Sequence, residues 1–293
     1  MITAAVPRGE SSRAPTTTPT ARSSLPGLGS PARESPDHTL GCHRIRLCRA
    51  SFLDRWYESA PVRPWQVLES VKTREGVLEL RRRGGRDFLM MIAGRVLMNS
   101  DHHRSEDVLA DVSRAALGKK SRPRVLLGGL GMGYTLRAAL DRLPARAAVT
   151  VVDVNQKVVD WNRGPLGPLA RFPIADERVR VVVDDVARVI ANSRAGGYDA
   201  ILLDLYEGPH SAINRDWHPL YGSDALKRTR SALGLGGIFA VWSEETDPPF
   251  EERLKKNGFT VKRHKSGKGG RLHVVYLAQA CALSKDRTRA ESR

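Results

Sequence analysis

From Arg124 onward, short apolar runs alternate with helix-forming stretches, and this alternation constrains the fold more than any other feature. The strand cores fall at residues 125–127, 149–152, 179–183, 200–203, 238–241, 259–261 and 274–277. Helical stretches lie between them at 136–143, 157–162, 186–192, 225–233 and 250–256. Strands that are apolar on both faces must be covered on both faces. Intervening helices are how a chain achieves that with parallel strands. The expectation is an α/β fold: a doubly wound, seven-stranded, mainly parallel Rossmann-like sheet over residues 105–280. The last two runs are joined by a short basic turn, so the sheet should close on an antiparallel strand.

Upstream, residues 66–71, 77–80, 88–92 and 96–98 are short apolar or alternating runs. Gly76, the Gly84-Gly85 pair and Gly94 separate them as hairpin turns would. They predict a small antiparallel β domain within residues 41–104, after which Ser105 caps a helix to about Leu117. Residues 1–40 are rich in Pro, Ser, Thr, Gly and Arg without apolar periodicity, which predicts a disordered tail. A short helix is expected near 52–58 and a charged tail at 281–293.

The chain of 293 residues carries a net charge of +16, unevenly spread. Residues 181–250 hold six basic and ten acidic groups, and residues 251–293 hold twelve and four. A basic surface can attract nucleic acid. No RNA-binding motif accompanies it and aromatic residues are only 6%, so a solvated Arg-rich surface is the preferred reading. Cys42, Cys48 and Cys281 fit no zinc spacing and make a poor disulfide framework, which suggests free thiols in a reducing cytoplasm and no metal site. No apolar run of membrane-spanning length occurs, and no secretory signal is read.

Chemistry concentrates at the ends of four successive strands. The first runs into Gly128-Gly129-Leu130-Gly131-Met132-Gly133 and then a helix. Glycines there let the backbone turn sharply and approach a ligand, and the helix N-terminus favours electron-rich groups. The second strand ends at Asp153, about 20 residues on, where a carboxylate can accept from both ribose hydroxyls. The third ends at Asp184-Asp185, placed for an adenine amino group, and the fourth at Asp204. Taken singly, each aspartate serves equally well as a helix N-cap. Together they mark the carboxyl edge at which such sheets bind ligands. The pattern Gly129-x-Gly131-x-Gly133 departs from the Gly-x-Gly-x-x-Gly of dinucleotide sites, which disfavours a nicotinamide cofactor.

Over about residues 65–279 the chain resembles the spermidine synthase (polyamine aminopropyltransferase) family, which has a class I methyltransferase-like fold. Gly129, Gly131, Gly133, Leu136 and Arg137 align with that family's glycine loop. Asp153-Val154-Asn155 resembles its Glu-Ile-Asp segment, and Asp184-Asp185-Val186 its Gly-Asp-Ala. Tyr198–Asp204 resembles the strand that leads to the family's catalytic Asp-Ser-Ser-Asp-Pro, read here as Asp204-Leu205-Tyr206-Glu207-Gly208-Pro209. The resemblance implies an S-adenosylmethionine-type cofactor, ordinary or decarboxylated. Gly129, Gly131, Gly133, Asp153, Asn155, Asp184 and Asp185 would hold it. It implies a small-molecule amine acceptor, with Asp204 as base, Glu207 holding a second ammonium and Tyr206 orienting either, and a homodimer. Met132 stands where the family carries the aspartate that holds the aminopropyl ammonium. Ser105-Glu106-Asp107 replaces its Tyr-His-Glu, and no Gln follows Gly94. Two alternatives stay open: methyl transfer from S-adenosylmethionine to an acidic substrate, and a catalytically silent nucleoside-binding homologue. His210 and His218 are read as surface residues, whereas substrate contact and hairpin polarity explain His102 and His103 equally well.

Overall fold

The computed structural model describes residues 63–101, 104–206, 208–210, 216–266 and 273–281. The expected tail at 1–40, the helix at 52–58, Cys42, Cys48, His102, His103, Glu207 and residues 282–293 lie outside them. The described residues belong to one compact unit.

The N-terminal meander consists of β1 (Gln66–Thr73), β2 (Gly76–Arg83), β3 (Asp87–Ile92) and β4 (Arg95–Asn99), antiparallel in that order. Alternation fixes its faces: Leu78, Leu80, Phe88, Met90 and Ile92 are all buried. Helix α1 (Arg104–Leu117) follows, starting one residue before the expected cap.

The large sheet has the order β10-β11-β9-β8-β5-β6-β7. It comprises β5 (Arg124–Gly128), β6 (Ala148–Asp153), β7 (Val179–Val183), β8 (Tyr198–Leu203), β9 (Leu233–Ser243), β10 (Phe259–Ser266) and β11 (His273–Ala280). Pairings among β5 to β9 are parallel, whereas β11 runs antiparallel to both β9 and β10. The seven-stranded, mainly parallel sheet expected from the apolar runs is therefore present, with the small antiparallel sheet before it. Intervening helices are α2 (Tyr134–Arg142), α3 (Gln156–Arg163), α4 (Val186–Ala191), α5 (Ser223–Ala232) and α6 (Pro248–Lys256).

Successive strand residues feed two cores, one on each face. Leu127, Val151, Leu202, Ala240 and Val275 face α1, α2 and α3, and share a cluster with the buried face of the small sheet. Leu126, Val152, Ile201, Leu203 and Phe239 face α4, α5 and α6. Fully apolar strands are thus explained by burial on both sides. The small sheet is also latched by Glu69, which accepts from Trp161 Nε1 at 2.7 Å and pairs with Lys157 Nζ at 2.6 Å.

Two features differ from the pattern reading. Strand β9 begins at Leu233, five residues before the expected apolar run, because Leu233 already pairs with Tyr198 ahead of a register shift. Two single turns of 3-10 helix, Gly167–Ala170 and Pro173–Ala175, follow α3. They are too short to carry a helical period, so periodicity misses them.

Candidate active site at the carboxyl edge of the sheet

The glycine turn is held from three sides. Gly129, Gly131 and Gly133 have φ of 90°, 51° and 84°, in the region that favours glycine. A Cβ on Gly129 would lie 2.1 Å from the Asp204 carbonyl oxygen. On Gly131 it would meet Met98 Sδ at 2.8 Å, and on Gly133 the Asn162 Oδ1 at 2.7 Å. The glycines therefore let β4, α3 and the tip of β8 close in on the turn. Asn162, which the sequence reading missed, fastens the turn by donating from Nδ2 to the Gly131 carbonyl at 2.8 Å. Met132 is fully buried in the core.

Asp153 ends β6 with its carboxylate on this turn. Oδ2 accepts from the Leu130 N–H at 3.0 Å and Oδ1 from the Asn155 N–H at 2.9 Å. Burial raises its pKa, against the opposing pull of the backbone N–H donors of Asn155, Leu130 and Gly131. The carboxylate keeps lone-pair capacity beyond these amides. Val154 and Val183, beside the acids of two adjacent strand ends, are 70% and 43% exposed. They leave apolar side chains exposed at this edge.

Asn155 and Asp185 serve as N-caps. Asn155 accepts from the Lys157 N–H of α3 and Asp185 from the Ala187 N–H of α4. Asp184 is not brought to the glycine turn. It projects to the α4 face, pairs with Arg188 and lines a cleft of about 510 Å³ with Thr150 and Arg180. The hydrogen-bonded Arg188 side chain holds its pKa below the ordinary value.

Asp204 sits one residue past β8, its N–H donating to the Gly128 carbonyl at 2.9 Å. Thr135, in the first turn of α2, donates its hydroxyl to Oδ2. Burial, reinforced by the charge of Glu106 on α1, raises the Asp204 pKa to about 7, against the opposing pull of the Thr135 hydroxyl. Glu106 is itself buried. Tyr134 donates its hydroxyl to the Ser100 carbonyl at 3.1 Å. Its pKa is raised by burial, then by Glu106 and Asp101. Tyr206 is exposed at the rim, with the Arg95 guanidinium 5.9 Å from its ring centroid. Glu207 lies outside the described residues. The sequence reading missed Thr135. An acid at the fourth strand end facing the hydroxyl of the first helix was the available signal, but which strand tip meets that helix depends on the strand order.

The edge thus joins a glycine turn, a carboxylate seated on its amides, and a second carboxyl poised near neutrality within one cluster of contacts. That arrangement offers hydrogen-bond acceptors at the turn and one carboxyl able to exchange a proton near neutral pH. Among the described residues no group of three or more His, Cys, Asp or Glu could hold a metal.

Comparison with known proteins agrees with this geometry. Residues 107–257, just over half of the chain, match the model of the spermine/spermidine synthase domain. A polyamine aminopropyltransferase of Aeropyrum pernix is 30% identical over 122 residues, covering 40% of this chain and 36% of the relative. Putrescine N-methyltransferase 3 of Nicotiana tabacum is 36% identical over 129 residues, covering 44% and 32%. The chain spans about a third of the length of such curated relatives. The crystal structure of spermidine synthase from Thermotoga maritima superposes with a TM-score of 0.59 at 18% identity, over 73% of this chain and 72% of that one. That likeness establishes the fold. The family model covers the glycine turn, Asp153, Asp185 and Asp204 together, and the chain belongs to the spermine/spermidine synthase domain family.

Proposed function

We propose that the chain is a transferase that moves an alkyl group from an S-adenosylmethionine-type donor to a small-molecule amine, as polyamine aminopropyltransferases do. The observation that carries this reading is the seating of the Asp153 carboxylate on the amides of the glycine turn, in contact range of the strand tip bearing Asp204. The residues fit an adenosyl group: Asp153 has lone pairs for ribose hydroxyls, and Val154 and Val183 offer an apolar bed for the base. Asp185 keeps a carboxylate oxygen for the adenine amino group, with Asn155 beside the ribose.

When bound, the donor supplies an electrophilic carbon on its sulfonium. The amine lone pair forms the C–N bond as the C–S electrons return to sulfur. The chain must hold the amine in line and take its proton. Asp204 Oδ1 is the acceptor, since Oδ2 is occupied by the Thr135 hydroxyl. A pKa near 7 makes the carboxyl a better base toward an ammonium than an ordinary aspartate would be. Tyr206 orients the amine at the rim, and Glu207 holds a second ammonium.

Methyl transfer is the second reading. Met132 presents no carboxylate to the donor's tail, being fully buried, and putrescine N-methyltransferases are among the relatives. The exposed free thiol of Cys281 suits a reducing compartment such as the cytoplasm. Among the described residues no helix is long and apolar enough to cross a membrane. A homodimer is expected by analogy with the family.

The test is mass spectrometry of a panel of small amines, with and without a carboxylate, incubated with each donor in turn. Decarboxylated S-adenosylmethionine should yield the aminopropyl adduct. A methyl adduct from S-adenosylmethionine alone would select the second reading, and no adduct with either would remove both. Asp153→Ala should weaken binding of the nucleoside product by about ten-fold or more while the fold persists, as read by calorimetry.

A further inference from the structure

Three nitrogen atoms near the tips of β9, β10 and β11 are shut off from solvent and have no hydrogen-bond partner: Trp242 Nε1, His264 Nε2 and His273 Nδ1. Buried polar atoms without partners are uncommon and costly, so a cluster of them calls for a reason. Strand register brings them to one place. Trp242 pairs with Val275, and Val275 with His264. His273 is two residues before Val275, and its ring lies 5.2 Å from that of Trp242. Val275 belongs to the core on the α1 and α2 face, so all three side chains project from that face.

Asp204 stands on the same face, in the row of Trp242. Leu202 pairs with Ala240 and Leu203 with Val241, which makes Trp242 the neighbour of Asp204 across the β8–β9 gap. Strands are spaced about 5 Å apart, so the row Asp204, Trp242, Val275, His264 leads outward from the carboxyl by successive strand spacings. The loop after Asp204 folds back over this tip. A Cβ on Gly208 would lie 2.5 Å from the Trp242 carbonyl oxygen, and Ser243 Oγ donates to the Pro209 carbonyl at 2.9 Å. Helix α1, which carries Glu106, packs on the same face against β8, β9, β10 and β11.

The face is therefore bipolar. Its Asp204 end carries two carboxyl groups, Asp204 and the buried Glu106, and its outer end carries an indole N–H, which can only donate, and two imidazole nitrogens, each a donor when it holds the ring proton. A plain diamine offers nothing but donors to that outer end. We propose that Trp242, His264 and His273 form an acceptor subsite for an oxyanion, and that the amine used by this chain carries a carboxylate at the end of a short aliphatic chain from its reacting nitrogen. The inference rests on the transferase reading above. It assigns the end of the face that bears the indole and imidazole nitrogens to the substrate's acid and the Asp204 end to its amine.

Ornithine and putrescine differ by one carboxylate and are the probes. Each is titrated calorimetrically into the full chain saturated with methylthioadenosine, and again with S-adenosylhomocysteine. Ornithine should bind about ten-fold or more tighter than putrescine, the range expected for a charge-assisted hydrogen bond. Trp242→Phe and His264→Phe should each erase that preference while nucleoside binding, measured first, reports that the fold is intact. Nucleoside binding with putrescine bound as tightly as ornithine would overturn the inference alone. So would a preference that survives both substitutions. No nucleoside binding would overturn the transferase reading and the inference together.

Discussion

Asp204 combines two properties that an ordinary surface aspartate lacks: its carboxyl is enclosed, and one oxygen is already engaged by Thr135. Its folded pKa of about 7 stands above the unfolded value of 3.8. Below about pH 4 both states hold the proton, whereas between pH 4 and 7 the unfolded chain releases it and the folded chain keeps it. Stability from this group is therefore fully present at low pH and is lost as pH rises toward 7, with a slope of up to roughly 1.4 kcal/mol per pH unit. Asp204→Asn should flatten that slope in denaturant melts and raise stability at pH 8, while abolishing transfer. A melt series in which wild type and variant run parallel from pH 4 to 8 would contradict the assignment. Thr135 acts through Asp204, so Thr135→Val should raise the carboxyl pKa further. The acid limb of the rate profile would then move to higher pH, and Thr135→Ser should return it. A uniform fall in rate with an unmoved limb would make Thr135 merely structural.

Elements, in contrast, were largely legible in the sequence. Apolar runs with helices between them specify a parallel sheet covered on both faces, and all seven strands lie where those runs are. The hairpin glycines likewise mark the meander. The apolar run marks only the latter part of β9, because Leu233-Gly234-Leu235-Gly236-Gly237 lacks the apolar continuity of a buried strand. Of that stretch only Leu233 pairs with β8 and enters the core, and residues 234–237 fall in the register shift, with Leu235 81% exposed. At the site, pattern located strand ends but could not assign side-chain direction. Asp153 and Asp184 both end strands, yet alternation sends the first to the glycine turn and the second to the α4 face. Asn155 and Asp185 meet the alternative role that residue type allowed, that of helix caps. The glycine turn itself makes a prediction at this scale. Gly129→Ala would combine a disfavoured φ with a Cβ 2.1 Å from a backbone oxygen, and should cost more than about 2 kcal/mol in denaturant melts. A change below about 0.5 kcal/mol would mean that β5 and β8 are not pressed together at this point.

Across the whole molecule, the small sheet and the large one share a single core, since Leu78, Leu80 and Phe88 join the cluster of Leu127 and Leu202. The latch of Glu69 to Trp161 and Lys157 adds a polar tie between β1 and α3. Met98 and Ser100 are thereby held against the glycine turn and Tyr134, so the meander forms one wall of the site. This wall could not be read from the sequence, because residues 98–100 carry no motif and reach the turn only through tertiary packing. The row from Asp204 to His264 was hidden for the same reason: it runs across strands far apart in the chain, and only the register unites it. If the tips of β5, β6 and β8 hold one adenosyl group between them, a crystal structure of the chain with methylthioadenosine will place the ribose hydroxyls within hydrogen-bond distance of Asp153, the base between Val154 and Val183, and the thioether directed toward Asp204. A nucleoside bound elsewhere, or Asp153 still facing only the backbone amides with no ligand beside it at saturating concentration, would contradict that placement.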